Sequence, residues 1–327
     1  MEAQFAPLIK FLRNNLSEKE HNGLIFLLDK NAIIKKIGED NGYAFYHRSC
    51  MKPLQASVLI DFSVDEKYNL SLEEIAIASA SHCGSDIHIK TVLSLLKKIG
   101  LDSSYLKCPP HKPLSVEAQK NLILSEENYT ALHNNCSGKH AAMLALCVAM
   151  GWDTQNYIDA GHPLNRSVIK RVEELCETEN SIISKDGCGL PTVATTLNSL
   201  GKGFLNLFLD KKYDKLKRAF IEYPYFIGGD LRLDTEVIKA SEANLIAKVG
   251  ACGLCTVVNL QKEQCLVVKI QDTDMEARSL VVIESLRQLG WLDDSKIRNS
   301  SLNKLFNTRI ETLLGEVVGH VEFSFSF

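Results

Sequence analysis

Cys255-Thr256-Val257-Val258-Asn259-Leu260, a polar turn Gln261-Lys262-Glu263-Gln264, and Cys265-Leu266-Val267-Val268-Lys269-Ile270-Gln271 follow one another without a break. Both apolar runs are rich in β-branched residues and the connection is short and polar, so the stretch predicts an antiparallel hairpin. Residues 245–248 predict a strand just before it, and residues 316–327 alternate like a final strand. Residues 274–289 predict an amphipathic helix stopped by Gly290. The other end of the chain repeats the pattern: residues 23–29 and 32–37 predict two strands joined at Asp29-Lys30-Asn31. Ahead of them, residues 6–15 read as a short amphipathic helix.

The middle reads as helix. Ser71-Leu72-Glu73-Glu74 is a capping box opening residues 75–79. Pro163 suits the first turn of a helix over 163–177, and Pro191 that of a helix over 191–200. Strands at both ends with helices between predict an α+β fold, with one antiparallel sheet built from both ends of the chain and flanked by helices. No repeat or Pro/Gly linker divides the chain. We therefore expect one catalytic unit over 1–327, its sheet carried by residues 1–48 plus about 240–327 and its mainly helical part by 49–239.

The net charge of −3 excludes nucleic acid as the main partner, and no 18-residue apolar run offers a membrane span. The start carries Glu2, Lys10 and Arg13 and lacks the apolar core of a secretion signal, so a cytoplasmic protein is expected. The ten cysteines do not follow a secreted-scaffold pattern and are expected to be reduced, several of them as core residues. Cys252 and Cys255 form a lone CxxC within a strand-like context, read as two buried strand thiols.

Three groups carry candidate chemistry. Ser49 and Lys52 form S-x-x-K, a spacing that lets a neutral lysine take a serine proton. Five other copies (Ser94/Lys97, Ser104/Lys107, Ser167/Lys170, Ser199/Lys202, Ser301/Lys304) sit in ordinary contexts. The first copy stands out because it follows the first hairpin, while Lys248-Val249-Gly250 ends a later strand and Ser81-His82 lies between them. That is the order of elements in penicillin-recognising serine enzymes. The third group is Cys136 and Lys139 at a helix entry, with Cys188 in a Gly-rich loop. Two thiolates and a nitrogen suit Zn²⁺, with His133 and His140 as rival nitrogen ligands and Asp186 placed to orient them.

The chain resembles the class 3, Rhizobium etli-type L-asparaginases of the asparaginase II family. The resemblance rests on Arg48-Ser49-x-x-Lys52-Pro53-Leu54-Gln55, on Ala80-Ser81-His82-x-Gly84 with His88, and on Asn135-Cys136-Ser137-Gly138-Lys139-His140. It continues through His162-Pro163-Leu164, Asp186-Gly187-Cys188-Gly189-Leu190-Pro191 and Lys248-x-Gly250-Ala251. It implies a serine β-lactamase-like fold and hydrolysis of L-asparagine to aspartate and ammonia. It also implies two Ser–Lys pairs (Ser49 with Lys52, Ser81 with Lys248), one zinc per chain on Cys136, Lys139 and Cys188, and a homodimer. Arg48, His82, Asn135 and Asp186 are then the expected substrate-binding residues, and Ser49 the expected nucleophile, with the swapped serine assignment as its rival. The sequence departs from the family pattern at Ser85 and at Cys252, where glutamate is usual, and the block from Gly228 to Thr235 is only partly regular. A missing carboxylate near Lys248 is expected to alter that lysine or the pocket. The alternatives to an asparaginase are a β-lactamase or penicillin-binding-type hydrolase, and a non-catalytic zinc-binding interaction protein.

Overall fold

The computed structural model describes residues 2–179 and 181–327. The N-terminal end supplies strands β1 (Ala6–Arg13), β2 (Leu16–Leu28) and β3 (Ile33–Ile37). Strands β4 (Phe45–Tyr46), β5 (Ile182–Lys185) and β6 (Pro191–Thr195) form a small sheet in the order β4-β6-β5. The C-terminal end supplies β7 (Leu245–Val249), β8 (Leu254–Asn259), β9 (Gln264–Ile270), β10 (Arg309–Glu311) and β11 (Val317–Phe323). The two ends join in one eight-stranded antiparallel sheet, β10-β11-β1-β2-β9-β8-β7, with β3 also on β2. This is the predicted α+β architecture. The predicted hairpin lies within it, with Val257 opposite Leu266 and Asn259 opposite Gln264.

Every residue of β7 and β8, and all but Gln264 of β9, is buried, so both faces of this part of the sheet are covered. Helices Leu197–Leu209 and Met275–Gln288 pack against it. Each buried Val or Leu there contributes roughly 1.5–3 kcal/mol of transfer free energy. Gly290 adopts a left-handed φ of 64° just past the second helix, stopping it as predicted.

Two predicted elements differ. Residues 6–15 are not a helix: β1 pairs with β2 on one edge and β11 on the other, and Asn14 and Asn15, both at positive φ, make the two-residue turn into β2. Hydrogen bonds to two neighbours outweigh a weak helical periodicity. Pro191 does not open a helix either. It is the first residue of β6, a place where its missing N–H costs no ladder bond, and the helix starts at Leu197 with the Thr196 hydroxyl accepting from Ser199 N at 3.1 Å.

Three helices position the site. Helix Leu72–Ala78 begins with the predicted capping box: Glu74 N donates to Ser71 Oγ at 3.3 Å, and Ser71 N donates to Glu74 Oε2 at 2.8 Å. It ends just before Ser81. Helix Ser137–Met150 crosses it so closely that a Cβ on Gly138 would run into the Ile77 carbonyl. Only glycine permits that approach, which brings the Cys136–Lys139 turn beside Ser81. Helix Lys52–Asp61 supplies the first lysine, and β7 ends with the second. Among the described residues, no helix is long and apolar enough to cross a membrane.

Candidate active site

Ser49 lies in a tight 3₁₀ turn, Arg48–Met51, that runs into helix Lys52–Asp61. Arg48 holds a left-handed φ of 49° there, a conformation costing a non-glycine residue on the order of 1–2 kcal/mol. An ion pair offsets that cost: Arg48 Nε donates to Asp186 Oδ1 at 2.7 Å, and Arg48 Nη1 to Cys252 Sγ at 3.2 Å. The turn carrying Ser49 is thereby tied to the loop carrying Cys188.

The Ser–Lys pairing differs from the expected one. Lys52 Nζ donates to Ala80 O at 2.6 Å and to Asn135 O at 3.1 Å, and lies 3.1 Å from Ser81 Oγ. Lys248 Nζ lies 3.2 Å from the same hydroxyl. Ser81, only 3% exposed, is therefore shared by both lysines. Ser49 is half-buried and opens on the same cavity, of about 440 Å³, as Ser81 and Asn135. Burial is the main cause that lowers the pKa of Lys52 from its ordinary value, which favours a neutral amine able to accept a proton.

Asp234 was not singled out from the sequence. Its Oδ2 lies 3.1 Å from Lys248 Nζ and accepts from Val249 N at 3.3 Å, and both side chains are 0% exposed. Burial raises the pKa of Asp234, but Lys248 and then Arg232 lower it further, and the net shift is downward, so the group stays a carboxylate. The carboxylate thought missing beside Lys248 is thus present, supplied by helix Leu233–Ala240 where that helix packs on β7. Cys252, where the family pattern has glutamate, is not the buried strand thiol expected: it is exposed, precedes β8 and accepts from Arg48.

His82 does not line the cavity. Its Nδ1 accepts from Gly84 N at 3.2 Å, so the proton sits on Nε2, which donates to Ser137 Oγ at 2.9 Å, and that hydroxyl donates to Leu132 O. Burial keeps the ring neutral by lowering its pKa well below the ordinary value. His82 thus braces the Ser81 segment against the entry of helix Ser137–Met150.

Cys136, Lys139 and Cys188 converge, each at most 5% exposed, with Lys139 Nζ 3.1 Å from Cys188 Sγ. The neighbouring Cys136, then Lys139, pull Cys188 down to about 5 against the opposing effect of burial. Cys136, whose thiol donates to Asn135 Oδ1 at 3.3 Å, is pushed up to about 12 by the neighbouring Cys188 and by burial. Of the rival ligands, His133 Nδ1 accepts from Thr130 N at 2.9 Å and His140 Nδ1 lies 2.6 Å from the Tyr157 hydroxyl, while His140 Nε2 is buried without a hydrogen-bond partner among the described residues. Among the described residues, no three His, Cys, Asp or Glu side chains are arranged to hold a metal, so a set of three donors here needs the lysine. Two soft sulfurs suit Zn²⁺; burial lowers the pKa of Lys139, but Cys188 and Cys136 raise it by more, so its nitrogen would complete the donor set only on giving up its proton to the arriving ion.

A search of curated proteins finds no match. Among solved structures the chain is similar to a β-lactamase from Mycobacterium bovis, at 14% identity and a TM-score of 0.44 over 83% of this chain and 95% of that one. It is also similar to a protein from Bacteroides dorei described as a β-lactamase candidate, at 13% identity and a TM-score of 0.44 over 80% of this chain and 92% of that one. A family model for L-asparaginase II matches residues 9–323, which take in every site residue described above, and the chain belongs to that family.

Proposed function

We propose that the protein hydrolyses the side-chain amide of L-asparagine to L-aspartate and ammonia, with Ser49 as nucleophile, and that within its family it is of the class 3, Rhizobium etli type. The reading rests on one observation above the rest: a buried serine hydroxyl bridged by two lysines, in the wall of a cavity that a second, accessible serine shares. Ser49 is the hydroxyl a substrate can reach. Its Oγ attacks the amide carbon and its proton passes to Lys52, the amine whose burial disfavours its charged form. Ser81 relays a proton from Lys248 to the departing nitrogen, ammonia leaves, and the β-aspartyl ester on Ser49 is then hydrolysed by water. Asp234 supplies the counter-charge for a protonated Lys248. Lys52 bonds Ser81 rather than Ser49 in the free enzyme, and such hydrogen bonds commonly realign when substrate arrives.

Cys136, Lys139 and Cys188 would hold the zinc ion that the resemblance implies. When bound, the ion supplies Lewis acidity that orients the substrate. We further propose that the enzyme works as a cytoplasmic homodimer. Ammonia release from L-asparagine, compared with L-glutamine and β-aspartyl dipeptides, tests the reading. Asparagine should be the preferred substrate, and Ser49→Ala should lower kcat by several orders of magnitude. Near-normal turnover in both Ser49→Ala and Ser81→Ala would remove the Ser–Lys mechanism.

A further inference from the structure

We propose that Arg232 and Arg278 form the clamp for the substrate's α-carboxylate. The proposal rests on the asparagine amidohydrolase reading above and adds the group that selects amino-acid amides over other amides. Arg48 is already committed, its guanidinium bonding Asp186 and Cys252. Arg232 and Arg278 form no ion pair among the described residues. Both line the cavity that holds Ser49 and Ser81. Arg278 is 5% exposed; its Nη1 donates to Gly250 O at 3.0 Å, and its Nε has no hydrogen-bond partner among the described residues. The Nε of Arg232 is likewise buried and unpartnered among them. The two carboxylates of the site are taken, Asp186 by Arg48 and Asp234 by Lys248.

A guanidinium buried without an anion is costly, and a planar fork of five donors matches a carboxylate in bidentate fashion. Arg278 is such a group, and with the half-buried Arg232 beside it on the same cavity the pair calls for a carboxylate brought in by the ligand. Both arginines, with Met275, also line a second cavity of about 270 Å³.

The test pairs each ligand with its analogue lacking only the α-carboxylate. β-Alaninamide is asparagine without that group, and β-alanine is aspartate without it. Arg232→Gln and Arg278→Gln should each raise KM for L-asparagine by about 30-fold with kcat within a few-fold, the loss of a charged hydrogen bond. The low kcat/KM for β-alaninamide should be the same in wild type and variants, which a merely structural role would not give. Calorimetry reads the clamp without turnover: wild type should bind L-aspartate at least 30-fold more tightly than β-alanine, and each variant should lose that difference. Should Arg278→Gln fail to fold, the half-buried Arg232→Gln and the charge-keeping Arg278→Lys carry the comparison. Equal losses on both members of a pair, or no loss on asparagine, overturn the clamp. If wild type releases no ammonia from asparagine but still prefers aspartate to β-alanine through these arginines, the activity assignment fails while the clamp stands. If it shows no preference, the clamp fails.

Discussion

Replacing Asp234 with asparagine leaves the shape of the side chain and removes its charge. In the native protein that charge faces Lys248 Nζ at 3.1 Å, with neither group exposed to water. At an effective dielectric of about 20, a pair at that separation attracts with roughly 5 kcal/mol before desolvation is counted. Deleting one partner of a buried pair typically costs about 3–5 kcal/mol, because the other charge stays behind uncompensated. Asparagine can still accept from Val249 N and from the lysine, so the lower figure, about 3 kcal/mol, is expected in urea unfolding at pH 7. That corresponds to a Tm lower by roughly 4–5 °C for a chain of this size. The sign of the pH dependence follows from the direction of the shift. The folded-state pKa of Asp234 lies below its ordinary 3.8, so its contribution is present above that value and is lost as pH falls through the folded one. Asp234→Asn should therefore flatten the acid limb of the stability curve below about pH 4. Turnover should fall by about 10²–10³ with KM little changed, since the variant disturbs the proton relay and not the cavity wall. A variant within 0.5 kcal/mol of wild type, with unchanged kcat, would refute the claim that this pair is held charged at the centre of the site.

Three further outcomes follow from particular contacts. Gly138→Ala should destabilise by about 3 kcal/mol, the upper end of overpacking costs, because the added methyl meets the backbone carbonyl of Ile77 rather than a flexible side chain; equal melting temperatures would contradict the close crossing. Asn15→Gly should stabilise by about 0.5–1 kcal/mol, since the residue sits at a φ of 65° in a two-residue hairpin turn that favours glycine, and a loss of stability would contradict that turn. Cys188→Ser should lower the zinc content found by elemental analysis of protein purified without chelator and raise KM more than it lowers kcat, whereas full zinc content with unchanged KM would remove Cys188 from the metal site.

The fold was readable where local and tertiary preferences agree. β8 and β9 carry β-branched residues and a short polar turn, and their observed bounds fall within one residue of the expected ones at nearly every end. It was misread where one residue admits two uses. Pro191 can open a helix or begin a strand, and which it does depends on β5, nine residues back at Ile182, being available to pair. At residues 6–15 the deciding signal was present but unused: Asn14-Asn15 is turn chemistry for a tight hairpin, incompatible with the last turn of a helix.

The site divides along the same line. Ser49, Lys52, Ser81 and Lys248 stand out because each belongs to a short motif whose spacing has chemical meaning. Asp234, Arg232 and Arg278 have no such motif, and their significance lies in what three separate elements bring together: helix Leu233–Ala240 with the residue preceding it, the end of β7, and the first turn of helix Met275–Gln288. Even within the motifs, spacing alone did not fix the partners. Ser49 and Lys52 are three apart, but the long lysine stem carries its amine past the 3₁₀ turn to the carbonyls of Ala80 and Asn135, and there the nearest hydroxyl is that of Ser81. The consequence is an ordered array of charge, with Asp234 against Lys248, Lys248 against Ser81, and Ser81 against Lys52. Such an array places a counter-charged lysine at one end and a lysine whose burial disfavours its charge at the other, so that a proton can be given at one end while another is taken at the opposite one.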